Sequence, residues 1–271
     1  MRPTFSSICH LLLFALITSC SSTASSVPME VGAEKDVSYS TSNLLDIYAP
    51  TADGPWPVVI AFHGGETSKS SLRGLSEALA SHGAMVFAAN WPSRPPSAEN
   101  PTFGWDEASC VLSFAQEYAE NHGGAKKTII VGHSAGGAVG FVMAIAGNEF
   151  SGDCVVDRNP IEVDGFVGLD GAYSILDYVP DSLLKQGSPE IWARIDPYSY
   201  LDDIHFRPDL DLLLMAGNQS ELQAEANQFQ EELVALGNKV SRVDLPGVSH
   251  QNMVGPNSES LKLILEMLHT D

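Results

Sequence analysis

Basic residues are scarce in this chain. Of its 271 residues, 14 are Lys or Arg against 34 Asp or Glu, a formal charge of −20. A nucleic-acid binder neutralises phosphates with a basic face, and too few cations are present to build one. The excess of acid is instead a solvated, self-repelling surface, with at most a steering field for cationic molecules. Cysteine is also sparse, at four residues, which excludes a small disulfide scaffold. Internal repeats and long linkers after residue 30 are missing, and no apolar run reaches the ~20 residues of a permanent membrane span. What remains is ordinary globular composition, 44% hydrophobic and 18% charged, long enough for one large domain.

The first acidic residue is Glu30. Before it stand Arg2 and the short apolar stretch Leu11–Ile17. A positive start, a short apolar core and small residues after it read as a signal peptide over residues 1–19. The stretch Ile17-Thr18-Ser19-Cys20 resembles the bacterial lipobox, which implies acylation of Cys20 and a polar tether over 20–35. An exported lipoprotein on the cell envelope is expected, an ordinary secreted protein being the alternative, with membrane contact through the lipid alone. Cys9 leaves with the signal. The one remaining pair in an oxidising compartment is Cys110 and Cys154, which are expected to form a disulfide.

From residue 36 onward, strands alternate with helices. A hairpin is expected over Val37–Tyr48. The continuous apolar run at 58–62 reads as a buried strand, as does 84–89, and 128–131, 163–169, 210–216 and 240–245 read as further strands. Helical spacing falls at 72–80, 106–121, 135–146, 220–236 and 258–268, several of these ending at glycine. Buried strands joined by helical crossovers mean an α/β fold, a mostly parallel sheet wrapped on both faces. Residues 171–208 break this rhythm and read as an insertion or lid over the strand ends.

Chemistry is concentrated where strands end. Gly132-His133-Ser134-Ala135-Gly136 has the form G-x-S-x-G between an apolar strand and a small-residue helix. That context marks a tight turn lifting a nucleophilic hydroxyl, Ser134, clear of the sheet. His63-Gly64-Gly65 follows the strand at 58–62; backbone N–H groups of Gly64, Gly65 and Ala135 are candidates for an oxyanion hole. His63 is expected to fix its loop, and His133 to point away from the nucleophile. A general base is expected on the loop after the last strand, where His250 stands in Gly247-Val248-Ser249-His250. Two carboxylates compete as its partner. Glu221 lies on the loop after strand 210–216, where Ser220 occupies the place expected for an Asp; Asp170 ends the preceding strand. Trp91, Phe103, Trp105, Tyr173 and Trp192 flank the expected pocket and are candidate walls, core packing being the alternative for each.

These residues, with Leu45-Asp46-Ile47-Tyr48, resemble the α/β-hydrolases from about residue 43 onward, specifically the carboxylesterase-like branch that includes arylformamidase and feruloyl-esterase-type enzymes. The resemblance implies an eight-stranded mostly parallel sheet, a Ser–acid–His triad, no cofactor, no metal and a small-molecule ester substrate. Glu66 and Thr67 replace the Trp that follows the Gly pair in some formamidases. The rival readings are a lipase or peptidase on the same fold, and a catalytically silent surface binding protein. Oligomeric state leaves no mark in the sequence.

Overall fold

The computed structural model describes residues 27–92, 104–160, 162–179, 181–185, 187–256 and 259–269. The expected signal peptide, Cys20, residues 21–26 and Phe103 lie outside them. Eight strands form one sheet: β1 (Val31–Ser38), β2 (Leu44–Pro50), β3 (Trp56–Phe62), β4 (Met85–Ala89), β5 (Gly124–His133), β6 (Gly165–Leu169), β7 (Asp211–Gly217) and β8 (Val240–Leu245). Their spatial order is β1-β2-β4-β3-β5-β6-β7-β8. Only β2 runs against its neighbours, pairing antiparallel with β1 and β4; β4, β3, β5, β6, β7 and β8 are parallel. The fold is the α/β-hydrolase fold.

The apolar strand runs have a direct physical reason. Successive side chains point to opposite faces, and both faces are covered, so both parities must be apolar. Val58, Ile60, Phe62, Ile130, Phe166, Leu212 and Leu214 join one core. Val59, Ala61, Ile129, Val131, Val167, Leu213 and Met215 join the other. The first core is closed by α2 (Trp105–Asn121), α3 (Ala135–Ala146) and α6 (Gln223–Ala235). The second is closed by α1 (Arg73–Ser81) and α7 (Glu259–His269). Truncating a fully buried ring such as Phe166 costs about 3–5 kcal/mol at such a position.

Two expectations need correction. The tether does not extend to residue 35, because Val31–Ser38 is already strand β1. Its middle residues are exposed, so no apolar alternation marks it; backbone pairing with β2 holds it instead. Likewise β5 begins at Gly124, four residues before its apolar part. Residues 171–208 carry two short helices, α4 (Asp181–Leu184) and α5 (Pro189–Ile195), the second fastened through buried Trp192 and Ile195. Cys110 on α2 and Cys154 are joined by a disulfide, with Cα atoms 5.0 Å apart. The bridge ties α2 to the loop whose Cys154 pairs with Ser40 beside the β1–β2 turn.

Candidate active site

Sheet register assembles the site. Phe62 pairs with Gly132, His133 with Leu169, and Leu169 with Met215. The residues that follow these strand ends, His63, Ser134 and Asp170, therefore emerge side by side at one edge. Backbone bonds lock them there. Ser134 N–H donates to Leu169 O at 3.1 Å, Asp170 N–H to Met215 O at 2.8 Å, and Ala172 N–H to Ser134 O at 3.0 Å.

Ser134 has φ 54° and ψ −126°, a conformation that a residue with a side chain rarely adopts. The flanking glycines make the turn possible. A Cβ at Gly132 would lie 2.1 Å from Gly136 O, and one at Gly136 would lie 2.3 Å from Phe62 O. Ser134 is half-buried and immediately precedes α3, whose first N–H groups lack intrahelical partners and whose dipole favours negative charge.

The loop after β3 is held through its carbonyls. Trp91 Nε1–H donates to His63 O at 2.9 Å, and the Thr67 hydroxyl and His63 Nδ1–H donate to Gly64 O at 2.8 and 2.7 Å. In a trans peptide the N–H points opposite the preceding C=O. The N–H groups of Gly64 and Gly65 thus face away from those anchors. The loop lies against Ser134, since a Cβ on Gly64 would be 3.0 Å from Ser134 Cβ. The His63 ring is committed to this hold. It is buried and stacked against Trp91 at 5.7 Å, and burial pushes its pKa down, so it is a neutral Nδ1–H tautomer.

His250 opens a 3-10 turn, His250–Val254, beyond β8. Its Nδ1–H donates to Asp170 Oδ2 at 3.0 Å. Asp170 is fully buried, has φ 50°, and receives Gly217 N–H on its other oxygen at 3.3 Å. Of the two carboxylates left open by the sequence, Asp170 is the one that meets the imidazole. Glu221 is exposed on the turn before α6 and is not bonded to His250 among the described residues. The reason lies in the neighbouring loop. Asn218, just beyond β7, accepts Gly247 N–H through Oδ1 at 2.8 Å, and Gln219 N–H donates to Val248 O at 3.4 Å, so this turn braces the His250 loop while Glu221 stays exposed.

Several expectations change here. Trp91 anchors the loop at His63, Trp105 and Tyr173 are fully buried, and Trp192 donates to Leu184 O at 3.0 Å, so these rings are core packing and not an open pocket lining. His133 packs against His250, with ring centroids 4.6 Å apart, a contact that alternation along β5 does not suggest. Among the described residues, no group of three or more His, Cys, Asp or Glu side chains is arranged to hold a metal ion. No helix among them is long and apolar enough to cross a membrane.

Residues 58–255 match the α/β hydrolase family, and the chain belongs to it. It is similar to Chlorophyllase-1 of Arabidopsis thaliana, 29% identical over 153 residues that make up 53% of this chain and 44% of that one. The chain thus spans under half the length of that relative. In structure it is similar to esterase B from Lactobacillus Rhamnosis, with TM-score 0.72 and 17% identity over 90% of this chain and 85% of the other. It is also similar to a thermostable esterase from Pseudomonas putida, with TM-score 0.64 and 17% identity over 90% of this chain and 82% of that one. At these identities the likeness is one of fold.

Proposed function

We propose that this chain is a serine hydrolase of carboxylic esters. The observation that carries the reading is the bond from His250 Nδ1–H to the buried Asp170 carboxylate, on the strand end next to Ser134. With Nδ1 committed to Asp170, Nε2 is the basic nitrogen of the neutral ring. Ser134 Oγ attacks the ester carbonyl as Nε2 takes its proton. The tetrahedral oxyanion is received by the N–H groups of Gly64, Gly65 and Ala135. Nε2 then returns the proton to the leaving alcohol, giving an acyl-enzyme on Ser134. Water, deprotonated by the same nitrogen, releases the acid and restores the hydroxyl. Among the described residues the Ser134 hydroxyl makes no hydrogen bond; in the proposed mechanism its bond to Nε2 forms as the ester docks. No step calls on a cofactor or a metal.

Within the family, the carboxylesterase-like branch with arylformamidase and feruloyl-esterase-type members fits the order of His63-Gly64-Gly65, Ser134 and His250. Esterase B of Lactobacillus Rhamnosis, of like fold, has been captured with a tributyrin phosphonate inhibitor, which is consistent with ester chemistry on this scaffold. The reading is tested with a panel of p-nitrophenyl and phenolic esters of increasing acyl length. Turnover that disappears in Ser134→Ala supports it. A folded wild-type protein that turns over none of them, or a Ser134→Ala variant as active as wild type, contradicts it and favours a silent binding protein.

Export belongs to the same proposal, with residues 1–19 as a signal peptide and lipid on Cys20. Met29 N–H donates to Ser81 O at 2.8 Å near the start of β4, at the end of the strands away from Ser134. Partition of the protein into detergent phase, lost in Cys20→Ser, checks the anchor.

A further inference from the structure

The position before Ser134 holds a histidine whose ring reaches the base. His133 is 8% exposed, and its Nε2 lies 3.0 Å from the backbone carbonyl oxygen of His250. A carbonyl only accepts, so Nε2 carries the proton and donates it. The ring lies against the imidazole of His250 at a 32° tilt, and its Nδ1 is 3.3 Å from where a Cβ on Gly64 would stand. One side chain thus touches the loop of the base and the proposed oxyanion loop while its backbone carries the nucleophile.

We propose that His133 is a positioning residue for the base, its Nε2–H holding the His250 carbonyl so that the imidazole meets Ser134 and Asp170 together. The inference rests on the hydrolase reading above and adds a residue to it. His250 is held at two points. The bond to Asp170 restrains His250 at Nδ1, which leaves the ring free to pivot about that contact with its backbone. The bond to the carbonyl fixes the backbone end. With both ends held, Nε2 has one place to be. Without the second, the His250 loop relies on Gly247 N–H bound to Asn218, on Gln219 N–H and Val248 N–H donating to Val248 O and Leu245 O, both at 3.4 Å, and on its own turn, Asn252 N–H to Ser249 O at 3.0 Å. None of these bonds reaches residue 250. A displacement of ~1 Å at a reacting atom lowers a rate about 100-fold.

A buried histidine that merely fills space predicts something different, and two substitutions separate the cases. His133→Phe keeps the ring volume and loses the donor. His133→Gln loses the ring and keeps an amide N–H that extends to the place of Nε2. Positioning predicts that kcat on an aryl ester falls about 10- to 100-fold in His133→Phe with KM little changed. His133→Gln then stays within about fivefold of wild type. The low-field proton NMR signal of His250 Nδ1–H is expected to persist in wild type and His133→Gln and to broaden in His133→Phe. His133→Asn, whose amide stops short of the carbonyl, is a second donor-less variant should the phenylalanine prevent folding, and it is expected to lose activity likewise. Donor-less variants with wild-type kcat and an unaltered Nδ1–H signal overturn the inference, as does a His133→Gln no better than His133→Phe. A wild-type protein inert to every ester overturns the hydrolase reading and this inference with it; an active wild type with indifferent His133 variants overturns the inference alone.

Discussion

His250 and Asp170 lie 80 positions apart in sequence, and their side chains meet at 3.0 Å. The contact pairs a half-buried imidazole with a fully buried carboxylate, so the carboxylate is shielded from water while the ring edge stays reachable. It sets the tautomer of His250, the proposed base. Removing it leaves an imidazole that the proposed mechanism cannot use, protonated on the other nitrogen or turned out of place.

Asp170→Asn is therefore expected to lower kcat by about 10³- to 10⁴-fold, because the amide favours the wrong tautomer. Glu221→Gln is expected to leave kcat within about twofold, as for a surface change away from the chemistry. Steady-state kinetics on one short aryl ester decides between the two carboxylates.

The same comparison shows what the sequence makes legible. Ser134 is marked by glycines at 132 and 136 that the close approach of backbone atoms demands, and His250 by its place after the last strand. Asp170 is not marked. Whether the acid comes from β6 or β7 depends on which strand end reaches the His250 loop, and both ends carry a polar residue. The alternation along β5 hides His133, because the left-handed turn at Ser134 and the return of the His250 loop are tertiary facts. β1 is hidden for another reason: an edge strand held by backbone pairing needs no apolar pattern. The aromatic residues stay ambiguous in sequence, since size and position near the strand ends do not distinguish a pocket wall from core; the structure decides for core.

Gly136→Ala is expected to prevent the elbow from closing. Its Cβ would meet the Phe62 and His63 carbonyl oxygens at 2.3 and 2.5 Å, and neither backbone atom yields without moving β3. The expected cost is about 3 kcal/mol or more, the upper end for overpacking, because the neighbour is backbone. Thermal unfolding of the variant beside wild type measures it.

Stability is expected to fall as the pH drops from about 6.5 to 4. Burial, and then the neighbouring His250, pushes the His133 pKa from 6.5 down to about 4. Unfolding raises that pKa again, so between these values the unfolded chain binds more protons and stability rises with pH. The contribution is complete above about 6.5 and is lost as the pH falls through 4, amounting to about 3 kcal/mol. His63, lowered by burial, acts in the same direction. Groups facing His133 are His250, His63 and Asp170. Unfolding midpoints of wild type and His133→Gln between pH 7 and 4.5 should converge toward the acid end; parallel curves would contradict the prediction.

Breaking the Cys110–Cys154 bridge, which closes a loop of 44 positions, is expected to cost about 3–4 kcal/mol by chain entropy. Denaturant unfolding of the double Cys→Ser variant against the oxidised protein gives the value. The loss is expected in stability, with kcat little changed, because the bridge joins α2 to the loop at Cys154, whose backbone pairs with Ser40.

The account stands on Ser134 as a hydroxyl that His250 activates, and an aryl phosphonate reports on that directly. Mass analysis of the labelled protein should find one adduct, on the peptide that carries Ser134, and its rate of formation should fall by about 10³-fold or more in His250→Ala. A folded wild-type protein that takes no label, or takes it on another residue, would contradict the account.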